Sequence, residues 1–223
     1  QAAQTFYNEY VGEQANVTIL NRKTIRGGEW NAITFPFNAS RDAINEVFGA
    51  DCQLRALASV QTISAKNIVF TFEEVTGGVE AGVPYIIYPS NDVTNLTFNG
   101  VDFDCSFAQT VEKDGYLLVG TLQPTDIKAD NHTLIFSTAN KLLKLNQDTQ
   151  IHGARAYITI PESASSANSF SIGIEEADGI KVVGVEANKN NGYIYNINGQ
   201  LVGKSMKNMP KGVYVVNGRK IIK

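Results

Sequence analysis

The feature that most constrains this chain is a series of short segments in which apolar residues alternate, each bounded by turn residues. In NIVFTFEEV, residues 67–75, the side chains of Ile68, Phe70 and Phe72 fall on one face of an extended chain. Comparable runs are ITFPF (33–37), PYIIYP (84–89), YLLVGTLQ (116–123), TLIFS (133–137), RAYITI (155–160) and FSIGI (170–174). Short runs at this spacing predict an all-β chain, an antiparallel sandwich of jelly-roll-like character, rather than alternating βαβ units.

One segment, SRDAINEVFG at residues 40–49, carries helical signals instead. Ser40 is placed to cap the N-terminus of a helix, and Gly49 is placed to end it. Ile44, Val47 and Phe48 share one face at helical spacing. The segment therefore predicts a helix of about two turns.

Charge and hydropathy exclude two classes of protein. The 223 residues carry a net charge of -3 and the pI is about 5.5, whereas nucleic-acid binding needs clustered Lys and Arg. No apolar run approaches the roughly 20 residues of a membrane-spanning helix, so no transmembrane segment is predicted. The opening QAAQTFYNEY lacks Met, which is typical either of a trimmed chain or of a mature terminus left after removal of a signal peptide, so it does not by itself indicate export.

The two cysteines, Cys52 and Cys105, leave two interpretations open. In an oxidising compartment they could form one disulfide bond. Alternatively, Cys105 shares a strand face with Val101, Phe103 and Phe107 and is a buried free thiol. The sequence does not decide between these states.

Groups suited to catalysis are scarce. The two histidines, His132 in a polar turn and His152 at the start of a predicted strand, lie in no nucleophile or zinc motif. The adjacent pairs Glu73–Glu74 and Glu175–Glu176 point to opposite faces of a strand, so neither pair can act together by itself. We therefore predict no catalytic residues and no cofactor, and an enzyme is the least supported class.

Asp102 and Asp104 share one strand face, and with Asn99 nearby they supply about three oxygen ligands. A calcium ion needs six or more such oxygens. An exposed polar face is the better interpretation, and no metal site is predicted.

Aromatic side chains are the remaining candidates for a binding surface, because exposed aromatic rings stack on sugars and on partner proteins. The candidate ligand contacts are Trp30, Tyr85 and Tyr88. Trp30 precedes an apolar strand, where a core anchor is the alternative, and Tyr85 and Tyr88 point to opposite sides of their strand.

Residues 188–192, NKNNG, are the most polar stretch and divide the chain into a body domain at 1–187 and a small β domain at 188–223. Two Asn-Gly pairs, Asn198–Gly199 and Asn217–Gly218, favour tight hairpin turns because both central positions of such turns need positive φ. We expect strands at YIYNI, QLVGK, VYVV and KIIK. A β unit of this size is marginally stable alone.

The tail sequence, GYIYNINGQLV followed by NMPKGVYVVNGRKIIK, resembles the C-terminal sorting-type (type IX secretion-like) domain of surface and secreted proteins from Gram-negative anaerobes of the gut and mouth. The residues that match the pattern of that family are Tyr195, Asn196, Asn198, Gly199, Gln200, Pro210, Lys211, Gly212, Tyr214, Asn217, Gly218 and Lys220. Met209 replaces the usual Leu of the pattern. The resemblance implies export, to the cell surface, the periplasm or the medium.

The body is similar to the β domain that often precedes such tails, in the stretches GGEWNAITFPF, VEAGVPYIIYP and VGTLQPT. This resemblance implies no chemistry. We therefore expect a non-catalytic exported module engaged in adhesion or ligand binding, with a glycan or a protein at the cell surface as its partner. The alternatives are a carbohydrate-binding accessory module and a fimbrial or self-assembling subunit, for which residues 1–11 are the candidate donor strand.

Overall fold

The structure is a computed structural model. It describes residues 12–20, 22, 24–104, 107–176, 179–183, 194–196, 200–203, 209–216 and 219–223. The chain divides into two compact units, Gln1–Gly184 and Val185–Lys223, and each unit is described by itself.

The first unit is built almost entirely from strands, which confirms the predicted all-β class. Its strands are β1 (Gln14–Thr18), β2 (Asn31–Thr34), β3 (Phe37–Asn38), β4 (Gln53–Ser64), β5 (Asn67–Glu74), β6 (Pro84–Tyr88), β7 (Thr97–Phe103), β8 (Thr110–Lys113), β9 (Tyr116–Thr121), β10 (Thr125–Ile127), β11 (Thr133–Ser137), β12 (Lys141–Lys144), β13 (Thr149–Ile151), β14 (Arg155–Thr159), β15 (Ser169–Glu176) and β16 (Gly179–Val183). Helix α1 spans Arg41–Phe48, and single 3₁₀ turns lie at Thr138–Asn140 and Glu162–Ala164.

One large sheet runs in the order β2-β6-β4-β5-β15-β12-β11-β14-β9-β8, with β16 also paired to β15. The sheet folds back on itself, so that β2 packs against β14 and β9 from the other half of the same sheet. The two halves form the layers of a sandwich. The pairing is antiparallel with one departure from the expected pattern, because β5 and β15 run parallel, with Ile68 opposite Phe170 and Phe72 opposite Ile174.

The first hydrophobic core lies between these two layers. The alternating residues Ile68, Phe70 and Phe72 of β5 all point into it, as their spacing predicts. They meet Leu118 of β9 and Ile158 of β14, both fully buried. Burying a side chain of this size contributes about 1.5–3 kcal/mol, so this interior accounts for much of the stability of the unit.

A second hydrophobic core lies on the other face of β2, β6 and β4. A small sheet in the order β1-β7-β3 and helix α1 cover that face. Phe98 of β7 is at its centre, with ring centroids 5.0 Å from both Phe35 and Phe37 and 6.2 Å from Phe48. Strand β6 is therefore buried on both faces, which explains why PYIIY is apolar throughout rather than alternating.

Helix α1 forms where the sequence predicts it. The Ser40 side chain accepts a hydrogen bond from the backbone N–H of Ala43 at 3.2 Å, and Gly49 ends the helix with positive φ. Ile44 and Phe48 are buried in the second core. The short amphipathic segment thus anchors the small sheet region by one apolar face.

The second unit is a four-stranded antiparallel sheet. Its strands are β17 (Ile194–Asn196), β18 (Leu201–Gly203), β19 (Val213–Val216) and β20 (Arg219–Ile222), in the order β18-β17-β19-β20. These are the segments expected from the sequence. The two Asn-Gly turns predicted between them, Asn198–Gly199 and Asn217–Gly218, lie outside the described residues.

Candidate functional site

The first unit contains an open cleft of about 820 Å³, within the size range of small-molecule sites. It lies between the segment that leads into β2, the end of β11 with the turn that follows, and β13 with the start of β14. The residues that line it are Arg22, Thr24, Arg26, Glu29, Trp30, Asn31, Ala32, Ile135, Phe136, Ser137, Thr138, Thr149, Gln150, Ile151, His152, Arg155 and Ala156. We call it the arginine cleft.

Arg22 is the most unusual side chain of the cleft. Its Nη2 donates a hydrogen bond to the carbonyl oxygen of Ala32 at 2.9 Å. Its Nε and Nη1 are buried and have no hydrogen-bond partner among the residues that the structure describes. Burial, reinforced by repulsion from Arg155, lowers the pKa of Arg22 to about 9. At neutral pH the guanidinium is therefore charged, buried and only partly satisfied.

Arg155, the first residue of β14, is the second cation of the cleft. Its Nε is also buried without a partner, and burial lowers its pKa. Its backbone is firmly held, because its carbonyl oxygen accepts hydrogen bonds from the hydroxyls of Thr34 at 2.9 Å and Thr121 at 3.1 Å. Thr34 belongs to the opposite layer, so the position of Arg155 is fixed by both halves of the sandwich.

Neither arginine is neutralised by a described carboxylate. The ion pairs among the described residues are Lys128–Asp148 and His132–Glu162, both outside the cleft. Glu29 lines the cleft, but its Oε1 accepts a hydrogen bond from the backbone N–H of Ala139 at 3.1 Å. The arrangement presents unused N–H donors and net positive charge, which is the chemistry that binds an anion.

The loop that carries Glu29 and Trp30 is fixed by backbone and side-chain contacts. The Asn31 side chain accepts from the N–H of Arg26 at 3.2 Å and donates to the carbonyl oxygens of Arg26 and Glu29 at 3.0 and 2.7 Å. A Cβ on Gly27 would lie 2.4 Å from the carbonyl carbon of Asn91, so only glycine fits there. This wall of the cleft is therefore preorganised.

The structure gives the three candidate aromatic contacts different environments. Trp30 is only 5% exposed, packs on Tyr88 with ring centroids 5.2 Å apart, and donates its backbone N–H to Asn140 Oδ1 at 2.6 Å. Trp30 lines the cleft and belongs to the first core. Tyr88 is half-buried and packs against the same core. Tyr85 lies in the second core, where burial raises its pKa.

The other predicted groups do not assemble into a reactive site. His132 Nε2 lies 2.7 Å from Glu162 Oε2 in a surface pair, and the side chain of Glu162 is 86% exposed. His152 lines the arginine cleft, and its carbonyl oxygen accepts a hydrogen bond from the Thr121 hydroxyl at 3.0 Å.

The carboxylate pairs are exposed. The parallel pairing of β5 with β15 brings Glu73–Glu74 and Glu175–Glu176 to the same end of the sheet. Asp102 and Asp104 are exposed, and Asp104 accepts a hydrogen bond from Asn38 at 2.9 Å. Among the described residues, no group of three or more His, Cys, Asp or Glu could hold a metal ion.

Cys52 is a buried free thiol in the second core, and its partner in the proposed disulfide, Cys105, lies outside the described residues. Burial raises the pKa of the Cys52 thiol. The Cys52 thiol donates to the side-chain oxygen of Asn45 at 3.6 Å.

Several of the tail residues on which the resemblance rests hold the second unit together. The backbone N–H of Asn196 donates to the carbonyl oxygen of Gln200 at 2.9 Å, and the N–H of Gln200 donates to Asn196 Oδ1 at 3.0 Å. The Tyr214 hydroxyl donates to the carbonyl oxygen of Pro210 at 2.8 Å, and Gly212 exchanges backbone hydrogen bonds with Lys223. The side chain of Lys211 is exposed. Nothing is described of the side chains of Tyr195 and Lys220.

Sequence reasoning missed Arg22 and Arg155. They lie 133 positions apart, and no known motif surrounds either of them. Arg22 lies between β1 and β2, and Arg155 is the first residue of β14. Only the fold-back of the large sheet, which no local pattern encodes, brings them to one cleft.

Comparison of the chain with protein-family models, with curated proteins and with solved structures finds no match. Within the part of the chain that the structure describes, no helix is long and apolar enough to cross a membrane.

Proposed function

We propose that this chain is a non-catalytic binding module of an exported protein, and that its first unit binds a small anionic ligand in the arginine cleft. The observation that carries the proposal is the pair Arg22 and Arg155, which lines a cleft of ligand size. Nε and Nη1 of Arg22 and Nε of Arg155 are buried and have no hydrogen-bond partner among the described residues. Binding at a surface or in the medium is the role expected from the tail resemblance.

The energetics favour a ligand over a structural role for this pair. A buried arginine that serves the fold is normally paired with a carboxylate or has its donors satisfied by carbonyl oxygens. Arg55 is closer to that pattern than Arg22 is. Its Nε is also buried without a partner among the described residues, but its Nη1 donates to the carbonyl oxygen of Glu175 at 2.8 Å and its Nη2 lies 3.5 Å from Gln53 Oε1. Arg22 has one such bond and a like charge beside it.

Binding rather than catalysis is the role that the lining supports. A reactive site needs a nucleophile or general base placed by a hydrogen-bonded partner. In the described residues, His152 is the imidazole of the cleft, and its one described hydrogen bond is made by its backbone carbonyl. A carbohydrate-binding accessory module is compatible with this proposal, because a glycan can bear an anionic substituent such as a carboxylate or a sulfate. The fimbrial alternative depends on residues 1–11, which lie outside the described residues.

Isothermal titration calorimetry tests the proposal. Small carboxylates, sulfates and phosphates are each titrated beside a neutral analogue into the wild type and into the Arg22→Met, Arg155→Met and Arg55→Met variants. We expect one-to-one binding of an anion that weakens at least about tenfold in the first two variants, since each loses a charge-assisted hydrogen bond of about 1.5–3 kcal/mol. Arg55→Met is the matched control and should bind as the wild type does. Binding of neutral compounds alone, or of no compound, would refute the proposed site.

Export is tested separately in cells that make the protein from its own gene. Protease treatment of intact cells should remove the protein if it is displayed at the surface, and the medium should contain it if it is released. Retention in the cytoplasm would contradict this part of the proposal.

A further inference from the structure

The charges that line the arginine cleft indicate which kind of anion it can bind. Arg22 and Arg155 contribute two positive charges, and Glu29, half-buried at the same cleft, contributes one negative charge. Arg26 also lines the cleft but is exposed, so solvent and salt screen its charge. Among the described residues, the buried and half-buried groups of the cleft thus leave a net charge of about +1, which matches a monoanion. A phosphate monoester carries about -1.5 to -2 at neutral pH and would be left partly uncompensated.

The remaining lining is neutral, and much of it is polar. Thr24, Ser137 and Thr138 present hydroxyl groups, which can donate and accept hydrogen bonds. Gln150 adds an amide group, whose Nε2 already donates one hydrogen bond to Asp126 Oδ1 at 2.9 Å. Such groups suit a ligand with several hydroxyls. A small inorganic anion would leave most of this surface without a partner in a cleft of about 820 Å³.

The apolar part of the lining consists of Trp30, Ala32, Ile135, Phe136, Ile151 and Ala156. Aromatic and aliphatic surface next to hydroxyl-binding groups is the combination that holds a ring with polar substituents and apolar C–H faces. Glu29 can accept hydrogen bonds from hydroxyl groups of the same ligand with the oxygen that Ala139 does not use.

Together these features name a ligand class. We infer that the arginine cleft binds a sugar acid, a pyranose ring bearing one carboxylate, with the carboxylate on Arg22 and Arg155 and the hydroxyls on the neutral polar wall. The inference rests on the proposed function, since it specifies the ligand of the same cleft. A free uronic acid and a uronate residue of an acidic polysaccharide share this chemistry.

The experiment compares matched probes by calorimetry on the full chain at neutral pH. D-glucuronate and D-galacturonate are titrated beside D-glucose and D-galactose, which differ in the carboxylate, beside acetate, which lacks the ring, and beside D-glucose 6-phosphate and L-glutamate. We expect a uronate to bind at least tenfold tighter than every other probe. The Arg22→Met and Arg155→Met variants should each lose at least tenfold in uronate affinity, and Arg55→Met should not.

The outcomes separate this inference from the proposed function. Tighter binding of the sugar phosphate, glutamate or acetate overturns the sugar-acid inference and leaves the anion site standing. Uronate binding that survives both arginine variants overturns the assignment to this cleft. Absence of binding by every anionic probe overturns both. Trp30 fluorescence, recorded for each variant, shows whether the first unit is folded, and the comparison among probes on the wild type needs no variant.

If a uronate binds, oligouronates from acidic polysaccharides distinguish the two sources of the ligand. Equal affinity for the monomer and for an oligomer assigns the cleft to one free sugar acid. A gain of tenfold or more with the oligomer assigns it to a polysaccharide chain that extends beyond the cleft. Either result supports the sugar-acid class, and failure of both monomer and oligomer to bind refutes it.

Discussion

Replacement of Arg22 by Met should make the ligand-free protein more stable. The side chain of Met is similar in length and carries no charge, so it removes the cost of holding a guanidinium in the cleft with two nitrogens unpaired. Lowering the pKa of Arg22 to about 9 corresponds to a cost of roughly 5 kcal/mol. The substitution also removes the hydrogen bond to the Ala32 carbonyl, which contributes about 1.5–3 kcal/mol. A net gain of about 2–3.5 kcal/mol remains.

Urea unfolding followed by tryptophan fluorescence measures this change directly. Trp30 is the only tryptophan of the chain and lies in the first core, so its emission reports the first unit. The midpoint should rise with an unchanged slope. Arg55→Met is the control. It removes the hydrogen bond from Arg55 to the Glu175 carbonyl oxygen, so this substitution should lower the free energy of unfolding by about 1–3 kcal/mol.

The pH dependence of the free energy of unfolding gives a second test of the cost of burying the charged Arg22 side chain. The folded chain releases the Arg22 proton near pH 9, whereas the unfolded chain holds it to a higher pH. The unfolded state therefore binds more protons above about pH 9, and this group makes the wild type more stable as the pH rises there. The advantage of Arg22→Met should be constant below about pH 9 and shrink above it. A variant less stable than the wild type at pH 7 by more than about 1 kcal/mol would refute the reasoning.

Three further outcomes are expected. Gly120→Ala places a Cβ 2.8 Å from a side-chain carbon of Thr34 and should lower the free energy of unfolding by about 1–3 kcal/mol in urea, whereas Gly77→Ala, with open space around it, should not. Deletion of the second unit should leave the Trp30 unfolding midpoint unchanged, because the first unit has its own two cores; a large drop would contradict this. In a Cys105→Ala variant, Cys52 should react with iodoacetamide at least tenfold more slowly in the folded chain than in urea, as shown by mass spectrometry, because it is buried and its thiol pKa is raised; equal rates would refute it.

The parts of the fold that follow from local patterns could be predicted from the sequence. Alternation places Ile68, Phe70 and Phe72 in one core because successive side chains of a strand point to opposite faces. Ser40 and Gly49 bound the helix because capping depends on residues within one turn. Each of these signals is complete within about ten residues.

The parts that depend on distant pairing could not be predicted in this way. The parallel partnership of β5 with β15 joins segments about 100 residues apart, and many short strands of similar composition could have taken that place. The continuous apolar run PYIIY did carry a signal for burial on both faces, but not for what covers each face. Arg22 and Arg155 read as ordinary surface cations, because only the folded sheet shows that they are buried beside each other.

The cost of burying the two arginines and the proposed affinity of the cleft have one physical origin. Folding has already removed water from Nε and Nη1 of Arg22 and from Nε of Arg155. The Arg22 guanidinium is oriented by its bond to the Ala32 carbonyl oxygen, and the backbone of Arg155 is held by Thr34 and Thr121. An anion that enters therefore meets donors that folding has already desolvated, and its binding offsets the charge that burial left uncompensated. By mass action, a ligand at 100 times its dissociation constant would stabilise the fold by about 2.7 kcal/mol, comparable to the net cost that Arg22 imposes without a ligand. A cleft built for stability alone would have placed apolar side chains at both positions, whereas a cleft built for binding retains the charges and recovers their cost only when the ligand is present.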